Sequence, residues 1–277
     1  MRRLLVTVAG CAALLLAACT EAAPTAGPAA GCTPEWSFPT VQQGRLTIAT
    51  VSSMPYVDIK AGSTSVDGID SVLLNDFARR ACLTPQWQPL AGPAAIAAMT
   101  EGRADVAAGG WYATPERGAT IGQTRPVWFD FNAIVSTAGY ATIEELRGRV
   151  VGVYAGSVYD AALTTALGDA AVRRYQSIDA VFQDLGAGRI DAAVGSSSEC
   201  AYQVKQRGAD MKVKVLAPDA AYSDLTSAGK PNYPHTKGNA ALGTALDSYI
   251  TSARTDGTVR NVLADYGLTD QRNFDGA

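Results

Sequence analysis

One imidazole in 277 residues, His235, and no run of basic residues longer than two remove several functions at once. A metal site needs a clustered set of donors, and a lone histidine with scattered cysteines does not supply one, so neither a metal nor another cofactor is expected. The 23 Lys and Arg stand against 26 Asp and Glu, a net charge of −3. Nucleic-acid binding needs a basic surface to neutralise phosphates, so that class of partner is excluded. After Leu16 there is no apolar run long enough to cross a bilayer. What remains is a globular body of ordinary hydrophobic content, 47%, long enough for one large domain or two small lobes.

The first residues specify an address. Arg2 and Arg3 precede an apolar run from Leu4 to Leu15, which ends in Leu16-Ala17-Ala18-Cys19. A basic start, a short apolar stretch and a small-residue cleavage site make an export signal. The segment also resembles a bacterial lipoprotein signal, which implies that Cys19 becomes the first mature residue and carries the lipid. Val8-Ala9-Gly10-Cys11 has the right residue types but leaves too little apolar length before the cut. Residues 1–18 are therefore expected to be removed, and the protein to be exported and held at the outer face of the cell membrane. Residues 19–43 are grouped as the anchor and a flexible linker; the leash proper is Thr20–Gly31, rich in Ala, Pro and Gly and without large apolar side chains, and the globular body is expected to start near Cys32.

Setting aside Cys11 and Cys19 leaves Cys32, Cys82 and Cys200, an odd count that suggests one disulfide and one unpaired thiol. Cys32–Cys82 is the preferred bridge, since it would pin the start of the folded body to the end of an early helix. In the chain-entropy model a loop of that length contributes about 4 kcal/mol.

Through the body, strand and helix patterns alternate. Arg45–Thr50, Gln86–Leu90 and Ala104–Ala108 read as strands, with helices over Asp70–Cys82 and from Pro93 to Glu101 between them; Trp128–Thr137 is a longer apolar run. The rhythm then restarts with strands at 150–154, 172–175, 190–194 and 212–216, interleaved with helices at 158–167, 178–185 and 196–207. Two helices, Asn239–Arg254 and Val259–Tyr266, close the chain. Such alternation implies a mostly parallel sheet covered by helices. Gly102-Arg-Ala-Asp and Gly188-Arg-Ile-Asp each open an apolar strand after a helix, an echo that favours two similar α/β lobes with a ligand cleft between them.

Two loops at strand ends carry the candidate chemistry. In Gly109-Gly-Trp-Tyr-Ala-Thr-Pro-Glu-Arg117, glycines allow close backbone approach and Trp111 and Tyr112 offer a rigid wall. Arg117 can clamp a carboxylate with two parallel hydrogen bonds. Taken alone, the segment is equally a turn with a surface-paired arginine. Tyr154-Ala-Gly-Ser-Val-Tyr159 places a hydroxyl and amides where an anion is favoured, although Ser157 also reads as a simple helix N-cap.

With these pieces in order, the body resembles the family 3 extracellular solute-binding proteins, which deliver polar amino acids to ABC importers. The resemblance rests on Met54-Pro55-Tyr56, Gly68-Ile-Asp70, Thr114-Pro-Glu-Arg117, Leu146-Arg-Gly-Arg-Val-Val-Gly-Val, Gly156-Ser157, Gly188-Arg-Ile-Asp-Ala-Ala and Lys237-Gly-Asn through Asp256-Gly-Thr. It implies a two-lobed periplasmic-binding-protein fold of type II: lobe 1 over 44–138, lobe 2 over 139–226, and a return to lobe 1 over 227–277. It also implies that Arg117 grips a carboxylate, that Gly109 and Trp111 present backbone groups, that Ser157 and Val158 add amides from the other lobe, and that Tyr56 lines the side-chain end. The expected partners are a small carboxylate-bearing solute, an ABC permease and the membrane, with the receptor a monomer.

Two departures bear on the ligand. The family usually places an acid for the ligand's ammonium where Ser196 stands here. Ser196 is kept as an expected ligand contact that can accept a hydrogen bond but cannot neutralise a cation, and Glu199, one helical turn on, is either the acid's substitute or a solvent-facing residue. The stacking aromatic before the second helix is replaced by Gly92, with Trp111 as a candidate replacement. The same fold also serves a periplasmic cyclohexadienyl dehydratase, so an enzyme remains an alternative, as does a sensor or scaffold with a degenerate cleft. Catalysis would need a general acid or base; Glu116, Glu199 and His235 are thin candidates, and no catalytic residue is assigned.

Overall fold

The computed structural model describes residues 31–60, 65–207, 210–268 and 271–276. The expected export signal, Cys19 and the start of the leash lie outside the described residues. Among those described, no helix is long and apolar enough to cross a membrane.

The first part of the chain runs β1 (Arg45–Thr50), a small hairpin of β2 (Asp58–Ile59) and β3 (Val66–Asp67), α1 (Ile69–Arg80), β4 (Thr84–Pro89), α2 (Gly92–Thr100), β5 (Val106–Ala108) and α3 (Pro115–Thr120). β1 lies between β4 and β5, parallel to both. The chain continues through β6 (Asn132–Ser136), β7 (Val151–Tyr154), α4 (Asp160–Leu167), β8 (Val172–Tyr175), α5 (Ile178–Gly186), β9 (Ala192–Ser196), α6 (Ser197–Arg207) and β10 (Lys212–Val215). These strands form a second sheet in the order β10-β6-β9-β7-β8. It closes with α7 (Ser223–Thr226), α8 (Ala240–Thr255), α9 (Thr258–Asp265) and α10 (Arg272–Asp275).

Two details differ from the sequence reading. β6, placed there in lobe 1, pairs antiparallel with β9 and so belongs to the second sheet, which moves the first crossing back to residues 129–131. The second sheet is mixed, because β6 pairs antiparallel with both neighbours while β7 is parallel to β8 and β9. An apolar run such as Trp128–Thr137 does not encode strand direction, and here Asn132–Ser136 returns alongside β9.

Each sheet is covered on both faces, as strand alternation dictates. In β1, Leu46 and Ile48 face α1, α8 and α9, while Ala49 faces α2 with Met99. In β6, Ile134 joins Val151, Val153 and Leu163 of α4, while Ala133 and Val135 join Phe182 and Leu185 of α5. The helices at 240–255 and 258–265 return to the first sheet, where Leu246, Tyr249 and Ile250 are fully buried.

The Gly-Arg-x-Asp echo has a structural meaning. Gly102 and Gly188 both take φ +68°, and each following aspartate binds the amide of an adjacent chain: Asp105 Oδ2 accepts from Thr47 N and Asp191 Oδ2 from Val150 N, both at 2.8 Å. The repeated motif thus fastens neighbouring parallel strands at the same place in each lobe.

Packing begins at Cys32, where the sequence reading set the start of the body, although the linker segment was drawn on to residue 43. Cys32 and Cys82 form the expected disulfide, closing a separation of 50 residues. From there the chain is a packed strap. Glu35 pairs with Arg80, Trp36 and Phe38 stack on Phe77 at 5.5 and 5.7 Å, Pro39 accepts from Asn239, and Val41 N donates to Asp105 Oδ1. Trp36 and Phe38 supply the apolar area that fastens this strap to Phe77 of α1.

Candidate functional site

Between the two sheets lies a cavity of about 350 Å³ whose walls come from both lobes. All seven residues expected to touch ligand line it: Tyr56, Gly109, Trp111, Arg117, Ser157, Val158 and Ser196. Glu116 is exposed on α3, and His235 is buried elsewhere, beside Gly122 and Gly243. Burial lowers the pKa of His235.

Arg117 follows Thr114, whose hydroxyl caps α3 by accepting from Arg117 N. Its guanidinium stands 4.9 Å over the Trp111 ring and donates from Nη1 to the Tyr112 carbonyl at 2.8 Å. It makes no ion pair with a carboxylate among the described residues, and burial pulls its pKa down. A partly buried cation with free donors and an aromatic plate behind it is built to receive an anion.

Part of the backbone expected to face a ligand is already engaged. Gly109 N and Gly110 N both donate to Asp70 Oδ2, at 2.8 and 3.1 Å, so Gly109 does not offer its amide. Asp70 is 2% exposed, and burial raises its pKa to about 6 against the pull of those amides. The glycine loop is thus held from behind, and Gly110 lets Tyr56 approach so closely that a Cβ there would lie 2.5 Å from the ring. Trp111 accepts at its carbonyl from Asn232, leaving its amide, which donates to no described residue.

In the other lobe, Ser157 is not the N-cap of α4. The helix starts three residues later, with Tyr159 in the cap position. Ser157 N donates to the Tyr154 carbonyl at 3.2 Å, and its hydroxyl is buried with no hydrogen-bond partner among the described residues. The amide of Val158 likewise donates to no described residue. A buried hydroxyl without a partner costs about 1–3 kcal/mol, so the Ser157 side chain and the Val158 amide are groups a ligand can satisfy.

Gly92 lines the same cavity as Trp111, and Tyr154 of the opposite lobe also reaches it, bringing its hydroxyl to 3.8 Å from where a Gly92 Cβ would stand. Tyr56, Tyr112 and Tyr159 complete an aromatic lining.

At the crossing between lobes sits a carboxylate that sequence reasoning missed. Asp130 is fully buried and accepts from Tyr56 Oη at 2.6 Å, Ser197 Oγ at 2.9 Å, Ser198 Oγ at 2.6 Å and Phe131 N at 2.9 Å. Tyr56 also meets Ser196 Oγ at 2.5 Å, and Ser196 Oγ accepts from Glu199 N, capping α6. Across the cleft, Ser53 donates to Glu199 Oε1. Glu199 is 8% exposed, and burial, reinforced by Asp130, raises its pKa to about 7. It therefore points into the cleft and not to solvent.

Two sheets joined by crossings at 129–131 and near Gly229, with an anion-receptive cleft between them, define a two-lobed ligand-binding fold. The chain belongs to the bacterial extracellular solute-binding proteins, family 3, whose model matches residues 46–269. A relative in Bacillus subtilis (strain 168), named "Probable amino-acid-binding protein YxeM", is 22% identical over 223 residues, covering 79% of this chain and 81% of the relative. Among solved structures, an ancestral arginine-binding protein bound to arginine superposes with a TM-score of 0.71 at 23% identity, over 81% of this chain and 98% of that one. An ancestral amino acid-binding protein, described as a precursor of cyclohexadienyl dehydratase, matches with a TM-score of 0.70 at 21% identity, over 80% and 95%.

Proposed function

We propose that this chain is a lipid-anchored receptor outside the cytoplasm that captures a small carboxylate-bearing solute, an amino acid or a related compound, and delivers it to an ABC importer. The observation that carries the reading is Arg117: a partly buried guanidinium lining the cleft, backed by Trp111, with no ion pair to a carboxylate among the described residues. The ligand carboxylate would take its free donors, while the Trp111 and Val158 amides and the Ser157 hydroxyl complete the anion site from both lobes. Contacts from both lobes favour closure, because only the closed form makes them all. That related proteins bind amino acids supports the solute class.

A thermal-shift panel of amino acids and plain carboxylates tests this. A ligand at a hundred times its Kd stabilises the folded state by about 2.7 kcal/mol, or roughly 5 °C or more for a body of this size. A flat response across the panel would favour the degenerate-cleft reading. The enzyme reading rests on Glu199, whose pKa near 7 suits a general acid, and conversion of any panel member would bring it forward.

The anchor is tested separately. Cys19→Ser is expected to move the protein from the membrane fraction to the soluble one while leaving its ligand affinity unchanged. Persistence in the membrane fraction would remove the lipid from the reading.

A further inference from the structure

We propose that Glu199, and not Ser196, holds the cationic nitrogen of the ligand, and that the cleft selects net-neutral zwitterions with uncharged side chains. This rests on Arg117 taking the carboxylate, as argued above.

Ser196 is already committed. Its hydroxyl is shared between Tyr56 Oη at 2.5 Å and Glu199 N at 3.2 Å, which ties it to the helix cap and to the Asp130 network. Asp130 in turn is filled by four donors and does not line the cavity. Glu199 is in the opposite condition. It lines the cavity, one oxygen accepts only the neutral Ser53 hydroxyl, and no cation is among the groups acting on it. A buried carboxylate with no counter-charge is unfavourable unless it takes a proton or a ligand brings the charge. Ser53 comes from the first lobe and Glu199 from α6 of the second, so a cation placed there engages both.

The remaining walls say what the rest of the ligand is. Apart from Arg117 and Glu199, no Asp, Glu, Lys, Arg or His lines the cavity among the described residues. Val51, Ile96, Trp111, Tyr154 and Tyr159 form an apolar and aromatic surface instead. One fixed cation and one fixed anion match one carboxylate and one ammonium. A second charge on the ligand, such as a guanidinium, would be enclosed without a partner. The arginine held by a related fold is thus the wrong charge type for this cleft.

Calorimetric titration with L-leucine, L-phenylalanine, 3-phenylpropanoate (phenylalanine without its amine) and L-arginine tests the proposal. The wild type is expected to bind one of the two neutral amino acids at least tenfold tighter than arginine and than 3-phenylpropanoate. In Glu199→Gln that amino acid loses at least tenfold in affinity, whereas 3-phenylpropanoate changes by less than about threefold. A pH series needs no variant. Glu199 faces Ser53, Tyr56 and Tyr112 from the first lobe, and Asp130, Tyr154, Tyr159, Cys200 and the more distant Asp179 from the second, none of them cationic. Amino-acid affinity should therefore fall as the pH drops below 7, approaching about tenfold per unit as Glu199 protonates, with 3-phenylpropanoate affinity flat. Equal affinity of wild type and Glu199→Gln for the amino acid, or arginine as the tightest ligand, would overturn the proposal and leave the receptor reading intact. Absence of binding by all four probes would overturn this proposal, with the wider thermal-shift panel deciding whether the receptor reading falls too, and binding indifferent to Arg117→Ala would remove the carboxylate site on which the proposal rests.

Discussion

Arg117→Ala is expected to weaken binding of any carboxylate ligand by about a hundredfold or more, with little change in thermal stability. Truncating one side of a desolvated charge pair costs about 2–5 kcal/mol, and each 1.4 kcal/mol is a factor of ten in Kd. Stability is spared because opposing effects meet at this residue. The variant gives up one hydrogen bond to the Tyr112 carbonyl and the stacking on Trp111. It also relieves a cation whose desolvation is already visible in its lowered pKa. Arg117→Lys keeps the charge but loses the planar fork, so it should fall between wild type and alanine. Titration calorimetry and a melting curve on the same samples separate the two effects. Unchanged affinity with an unchanged melting temperature would remove Arg117 from the binding site.

Asp130→Ala is the substitution expected to damage the fold most. Two oxygens there accept from Tyr56 and Ser198 in the interior and from Ser197 and the Phe131 amide at half-buried positions. Removing the acceptor leaves the two buried hydroxyls unsatisfied, each worth about 1–3 kcal/mol, and weakens the half-buried pair. Some hydroxyls can turn to other partners, so a net loss of roughly 3 kcal/mol and a melting temperature lower by about 5–10 °C are expected. Asp130→Asn keeps one carbonyl oxygen and should cost less. It also removes one of the charges that raise the pKa of Glu199, which should then move down toward the usual carboxylate range. A shift of the binding pH profile to lower pH in Asp130→Asn would report that change; no shift would mean the two carboxylates do not sense each other.

The strand-end loops were legible because glycine, aromatic and arginine types cluster there for reasons that need no neighbours. All seven residues chosen on that basis and on the resemblance line one cavity. What escaped is tertiary. That the Gly109 amide is taken by Asp70, 39 positions away, depends on where α1 packs, which no local pattern encodes. Ser157 read as a cap because serine caps helices, yet α4 begins only at Asp160 and leaves it without that role. Asp130 did leave a trace, a single acid inside an apolar run, which is the mark of a buried charge with a dedicated set of donors. For Glu199 the helical spacing from Ser196 allowed either direction, and only the position of Ser53 across the cleft decides it. Strand order was legible as alternation but not as direction, since β6 runs against β9.

The strap from Cys32 to Val41 has a mechanical consequence. Every contact described for it falls on the first lobe: Cys82 and Arg80 at the end of α1, Phe77 within α1, Asp105 before β5, and Asn239 before α8. A pull on the chain upstream of Cys32 is therefore carried into one lobe and ends there, without crossing the cleft. The closure proposed above would then leave the second lobe, built from a single stretch of chain and joined by two crossings, to move whatever the first is fastened to. Opening and closing should then proceed with the same energetics on a surface as in free solution, with one jaw of the receptor clamped and the other loose.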